Sequence, residues 1–120
     1  EELVARVPQL MASTQRAIDE GRHPMLVAAR WHGYYEYLHP LRDGNGRTGR
    51  LLSNFILLQA GHPLLIIMRE DRQNYIAALK QIRTEGTDEH LVAFFFKTAI
   101  SRMQSELAQK HRLSRPMKFF

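Results

Sequence analysis

The sequence predicts an all-α protein. Apolar residues recur at three- and four-residue spacing through most of the 120 residues, which is the period of one face of a helix. Prolines and glycines fall at the edges of these periodic segments, where they start and stop helices. Alternating apolar and polar runs, the pattern of a half-buried strand, are scarce. We therefore expect one helical domain over residues 1–120 and, because the first residue is Glu1, part of a longer chain.

Two helices are expected before the first unusual motif. The first has Pro8 in its first turn and stops at Gly21, and its apolar face carries Val7, Leu10, Met11, Thr14 and Ile18. The second starts at Pro24 and ends at His39, because a residue that precedes a proline avoids the helical region. Its apolar stripe is Val27, Trp31, Tyr34, Tyr35 and Leu38.

A third helix follows a polar, glycine-rich stretch at residues 41–47. It is expected to begin near Thr48 and to end at Gly61 and Pro63. Its apolar residues lie nearly all round the helix, and they are Leu51, Leu52, Phe55, Ile56, Leu57 and Leu58. A helix of this kind is normally the buried centre of a bundle, so the bundle is expected to form around it.

Beyond Pro63, residues 64–68 are the one plausible short extended segment, at the edge of the bundle. A helix over about residues 71–83 should then turn Tyr75, Ile76, Leu79 and Ile82 inward and close near Gly86. Asp88 is expected to be the N-cap of a last long helix, which carries Leu91, Phe94, Phe95, Thr98 and Leu107.

Composition narrows the possible functions. Lys and Arg number 17 against 12 Asp and Glu, a net charge of +5, but no aromatic ladder accompanies the basic residues, so a nucleic-acid partner is not expected. No apolar run approaches the ~20 residues that span a bilayer, so no membrane partner is expected either. The chain has no cysteine, which excludes disulfides and thiol chemistry. A cytoplasmic protein and a secreted effector both fit, and the oligomeric state stays open.

The glycine-rich stretch has the features of an anion site. Gly44 and Gly46 lack side chains and would let an anion approach the free N–H groups at the start of the next helix. Arg47 and Arg50 would lie on one face of that helix and add two guanidinium groups. A turn followed by a helix cap explains the same glycines without a ligand, so these residues alone leave both interpretations open.

Two neighbouring residues favour the functional interpretation. Asp43 offers the hard oxygen ligand that Mg²⁺ prefers beside nucleotide phosphates. His39 lies four residues earlier, and imidazole takes a proton readily near neutral pH. A histidine beside a carboxylate, two arginines and an anion nest is therefore a candidate catalytic base.

Residues 39–50 read His-Pro-Leu-Arg-Asp-Gly-Asn-Gly-Arg-Thr-Gly-Arg. This closely resembles the signature of the Fic family, His-Pro-Phe-x-Asp/Glu-Gly-Asn-Gly-Arg-x-x-Arg. The resemblance covers roughly residues 7–103, with Leu41 in place of the usual Phe. A β-hairpin flap, which usually precedes the first helix in this family and aligns the target, is not evident before Val7.

The resemblance implies a Fic-type helical fold and a nucleotidyltransferase that uses ATP and Mg²⁺. AMP would pass from ATP to a Ser, Thr or Tyr hydroxyl of a target protein, with His39 as the catalytic base and Asp43 as the metal ligand. The phosphate-binding residues would be Gly44, Asn45, Gly46, Arg47 and Arg50. Similarity to the family also places adenine near the helix of residues 71–83, where Tyr75 is the candidate contact.

Other functions remain open at this point. A Doc-like kinase resembles this pattern but has Lys at the position of Gly46. Transfer of UMP or phosphocholine from another donor is a further option, and a catalytically silent module that binds nucleotide or protein is an option of another class. Many Fic proteins are inhibited by a Ser/Thr-x-x-x-Glu helix, and no glutamate of this chain has Ser or Thr four residues before it. Any such inhibition would come from a partner or a missing flank.

Overall fold

The computed structural model describes residues 5–39 and 44–114. The predicted metal ligand Asp43 and the substituted Leu41 lie outside these residues. The described part contains five α-helices and no strand, which confirms the all-α class. The helices are α1 (Val7–Asp19), α2 (Pro24–Leu38), α3 (Asn45–Gln59), α4 (Arg72–Glu85), which a 3₁₀ turn (Arg69–Asp71) precedes, and α5 (Glu89–Leu113).

Helix α2 is at the centre of the core. Nine of its fifteen residues are buried, and Trp31 and Leu38 are among the largest fully buried side chains. His23 caps its start, since His23 Nδ1 accepts a hydrogen bond from the Met25 N–H at 3.1 Å. Tyr34, which was expected in the apolar stripe, is 43% exposed. The other four stripe residues are buried as expected.

Helix α3 begins at Asn45, three residues before the expected start. Ser53, Ile56 and Leu57 lie on the face that packs into the core. Leu51 and Leu58 are instead exposed, at 70% and 58%. Burial on one face only is the normal state of a helix at the side of a bundle, so α3 lies against α2 rather than in its place at the centre.

Residues 62–68, which include the expected extended segment, form neither helix nor strand. The Leu65 N–H donates to Asn54 Oδ1 at 2.8 Å, and Asn54 Nδ2 donates to the Leu65 carbonyl at 3.0 Å. The Asn54 amide therefore replaces the neighbouring strand that would otherwise satisfy this backbone.

The last two helices meet at Gly86, whose φ of 69° closes α4. The expected N-cap of α5, Asp88, makes no capping hydrogen bond. Thr87 Oγ1 accepts from the Glu89 N–H at 3.2 Å instead, and Asp88 pairs with Arg30 at 3.5 Å. Leu107, one of the apolar residues of this helix, is 66% exposed. Within the described residues, no helix combines the length and the apolar character that a bilayer-spanning segment needs.

Candidate active site

His39 directly follows α2 in an unusual backbone conformation. Its φ of 49° and ψ of 57° lie in the left-handed region, and no other non-glycine residue of the described chain has a positive φ. Its N–H donates to the Tyr35 carbonyl at 3.0 Å, which satisfies one carbonyl of the last turn. A residue held in such a conformation costs roughly 1–3 kcal/mol and persists only where its surroundings fix it.

The residues of the predicted anion nest lie at the start of α3. Gly44 is the N-cap, with a φ of 73° that favours glycine. A Cβ at Gly44 would lie 3.3 Å from Arg47 Nη2, and one at Gly46 would lie 3.0 Å from Arg50 Nη1. Both guanidinium groups therefore fold back over the glycines, beside the free N–H groups of the first helical turn.

Asn45 connects the nest to the histidine. Its side-chain Nδ2 lies 3.3 Å from both ring nitrogens of His39, and the residue is only 3% exposed. The structure thus brings His39 and the start of α3 together. Asp43 lies outside the described residues, and the Mg²⁺ site stays a prediction.

Glu36, in the last turn of α2, lies next to the first turns of α3. The sequence analysis did not identify it as a site residue. A Cβ at Gly49 would lie 3.0 Å from Glu36 Oε1, and this oxygen is buried without a hydrogen-bond partner in the described structure. Burial raises the pKa of the Glu36 carboxyl, and nearby charges at His39, Arg50 and Arg83 oppose the rise. Its position three residues before His39, one helical turn away, was the available signal.

A buried hydrogen-bond network lies behind the nest. Ser53 Oγ donates to the Gly49 carbonyl at 2.7 Å, so it accepts from Nδ1–H of His32, which is 3.1 Å away. His32 Nε2 is then left as the acceptor for the Tyr75 hydroxyl at 2.6 Å. Burial lowers the pKa of His32 to about 4, so the ring is neutral. One histidine thereby connects α2, α3 and α4.

Tyr75, the predicted adenine contact, has its hydroxyl engaged by this network. Burial raises the pKa of Tyr75 to about 12, and the residue is 5% exposed. It lines a cleft of about 310 Å³ together with Arg50 and with Ile67, Met68, Arg69, Arg72 and Ile76. The cleft is thus next to the nest, and adenine binding by Tyr75 remains a prediction.

Residues 2–57 match the sequence profile of the Fic/DOC family. The chain is 37% identical over 95 residues to protein adenylyltransferase Fic of Aedes aegypti, which covers 79% of this chain and 19% of the relative. It is 51% identical over 59 residues to the protein of the same name from Nematostella vectensis. This match covers 49% of this chain and 14% of the relative. The chain therefore spans less than a fifth of the curated relatives that it matches.

A solved structure supports the same assignment. A signalling protein from Bacteroides thetaiotaomicron that contains a Fic domain superposes with a TM-score of 0.71 at 30% identity, over 82% of this chain and 43% of that chain. Fold and site together define a helical domain in which a histidine lies beside a glycine- and arginine-rich helix start. The chain carries a Fic/DOC family domain, which its sequence matches over residues 2–57.

Proposed function

We propose that this chain transfers AMP from ATP to a Ser, Thr or Tyr hydroxyl of a target protein. The observation that supports the proposal is the contact of Asn45 with the His39 ring, 3.3 Å from each nitrogen, because an imidazole next to the glycine- and arginine-rich start of α3 could act as a base on a bound nucleotide's acceptor. The relatives named protein adenylyltransferase Fic support it independently.

In the proposed reaction the target hydroxyl oxygen attacks the α-phosphorus of ATP. His39 accepts the hydroxyl proton, the bond from the α-phosphorus to the bridging oxygen breaks, and pyrophosphate leaves. Arg47 and Arg50 would neutralise the departing charge, together with the free N–H groups of α3. Mg²⁺, when bound at Asp43, would supply further positive charge to the phosphates.

Gly46 favours AMP transfer over the kinase alternative. Even a Cβ at this position would lie 3.0 Å from Arg50 Nη1, so a lysine would displace that guanidinium or fill the nest. Glycine at this position leaves the nest open to the β- and γ-phosphates. The α-phosphate would then be oriented toward His39.

The test is to incubate the purified protein and candidate targets with ATP labelled in the α- or the γ-phosphate. Only the α label should reach protein, in the target or by auto-modification. Label from the γ position alone would identify a kinase, and ATP binding without transfer would identify a silent module. A mass increment other than that of AMP, with UTP or a phosphocholine donor, would show a different transferred group.

His39→Ala should abolish transfer while ATP–Mg²⁺ affinity stays within about tenfold, because a general base contributes roughly 10²- to 10⁴-fold to rate and little to ground-state binding. His90→Ala is the matched control, since His90 is exposed and pairs with Glu85 at 3.1 Å. Full activity of purified His39→Ala would contradict the assignment of the base.

A further inference from the structure

The last turn of α2 is held by an arginine from another helix. The final carbonyls of a helix lack partners within it, and α2 has no basic residue of its own in this turn. Arg83 Nη2, from α4, donates to the Tyr37 carbonyl at 2.8 Å and to the Glu36 carbonyl at 3.4 Å. The end of α2 is therefore capped by a side chain 46 residues away in sequence.

Two further contacts fix this arginine. Its guanidinium carbon lies 5.1 Å from the centre of the Tyr37 ring, within cation–π range. Its charge also lies close enough to Glu36 to lower the pKa of that carboxyl. A cation at the C-terminal end of a helix complements the helix dipole. The position of Arg83 is thus favoured by hydrogen bonds, by an aromatic face and by charge.

This capped turn is the one from which His39 projects. His39 is two residues beyond Tyr37 and has the left-handed backbone described above. In the described structure, His39 is hydrogen-bonded through its backbone N–H to the Tyr35 carbonyl and through its ring to the Asn45 amide. A strained residue needs a rigid support, and a reacting group displaced by about 1 Å can lose roughly 10²-fold in rate.

We propose that Arg83 is a positioning residue for His39: it caps the last turn of α2 and so keeps the His39 ring at Asn45. The proposal rests on the proposed function, in which His39 is the base. Arg83 acts through the end of α2 and not through ATP, so its loss should slow the chemical step without weakening nucleotide binding.

The experiment compares Arg83→Ala and Arg83→Lys with wild type in steady-state AMP transfer. Arg83→Ala should lower kcat about tenfold or more, with KM for ATP within about twofold, because the effect falls on placement of the base. Arg83→Lys keeps the charge but loses the planar donor geometry, so its kcat should fall between the two. Arg102→Ala is the control, since it removes a partly exposed arginine that pairs with Glu106 at 2.8 Å on α5.

A structure of Arg83→Ala gives a readout that does not depend on activity. His39 should leave the left-handed region, or its ring should move away from Asn45. Wild-type kcat in Arg83→Ala, a change confined to KM, or an unmoved His39 would each overturn the proposal. Should Arg83→Ala fail to fold, the kcat of Arg83→Lys decides, and a value equal to wild type overturns it. Absence of AMP transfer by wild type would refute the proposed function, whereas the structural comparison would still test Arg83.

Discussion

His32 should make this protein lose stability in mild acid. The pKa of the buried ring is lowered from 6.5 to about 4, chiefly because burial disfavours the charged form, so the unfolded chain binds the proton more tightly than the folded one. Stability is therefore lost as pH falls through the window from about 6.5 to about 4. At about 1.36 kcal/mol per pKa unit, the loss from this residue reaches about 2 kcal/mol at pH 5 and about 3 kcal/mol below pH 4.

The network explains why the folded state resists protonation. His32 Nε2 is the acceptor for the Tyr75 hydroxyl, so a proton there would oppose an O–H that already points at it. The nearby Arg50 charge also lowers the pKa of His32. The hydrogen-bond partners of the ring are Ser53, Tyr75 and the Gly49 backbone. None of them is a carboxylate, so the added charge would be buried without one bonded to it.

The assay is urea unfolding of wild type and His32→Gln at pH 7 and pH 5. Both proteins contain the same carboxylates, so the difference between the two pH effects reports on His32. Wild type should lose about 2 kcal/mol more than the variant between these pH values. His90→Gln, which removes an exposed histidine, should behave as wild type.

Equal losses in wild type and His32→Gln would refute the reasoning. If His32→Gln does not fold, an NMR titration of the wild-type ring provides the same test. A ring that becomes charged near pH 6.5 would then show that burial does not control this histidine.

Two other predictions concern the packing of α3 against α2 and the glutamates of the chain. Gly49→Ala should destabilise the protein by about 1–3 kcal/mol, because its Cβ would lie 3.0 Å from both Glu36 Oε1 and His32 Cε1; Leu51→Ala, at a position 70% exposed on the same helix, should cost much less in the same urea midpoint measurement. Glutamate-to-glycine variants, Glu36→Gly included, should not raise auto-modification tenfold, since no glutamate has the inhibitory Ser/Thr-x-x-x-Glu spacing. A tenfold rise in any one of them would reveal an internal brake.

Local rules explain what could be predicted from the sequence. Pro24 and Gly86 determine where helices begin and end through their own backbone preferences. In the structure, α2 begins at Pro24 and α4 is closed by Gly86. The nest is equally local, because two glycines and two arginines within seven residues must share the first turns of one helix. The helix begins at Asn45 rather than Thr48, so Asn45, Gly46 and Arg47 lie in the helix and not in the loop. Gly46 still lies beside Arg50.

Features that depend on the meeting of distant helices were not predictable in this way. Arg83 reads as an ordinary basic residue at the end of a helix, and only the fold brings it to the Tyr37 carbonyl. His32 and Tyr75 are 43 residues apart, and only the fold brings their side chains together. Periodicity also states which residues can be buried and not which partner covers them, so Leu51 and Leu58 are exposed against expectation.

Two long-range hydrogen bonds connect α4 to α2. Tyr75 near the start of α4 binds His32 in the middle of α2, and Arg83 near the end of α4 binds the last turn of α2. These two residues are about 12 Å apart along the helix at 1.5 Å per residue. Two hydrogen bonds at that separation oppose both sliding and rotation of α2 relative to α4, whereas a single hydrogen bond would allow rotation. The placement of His39 is therefore set by α4 as much as by its own neighbours. A substitution in α4 that shifts this helix should change kcat even where it contacts neither ATP nor His39.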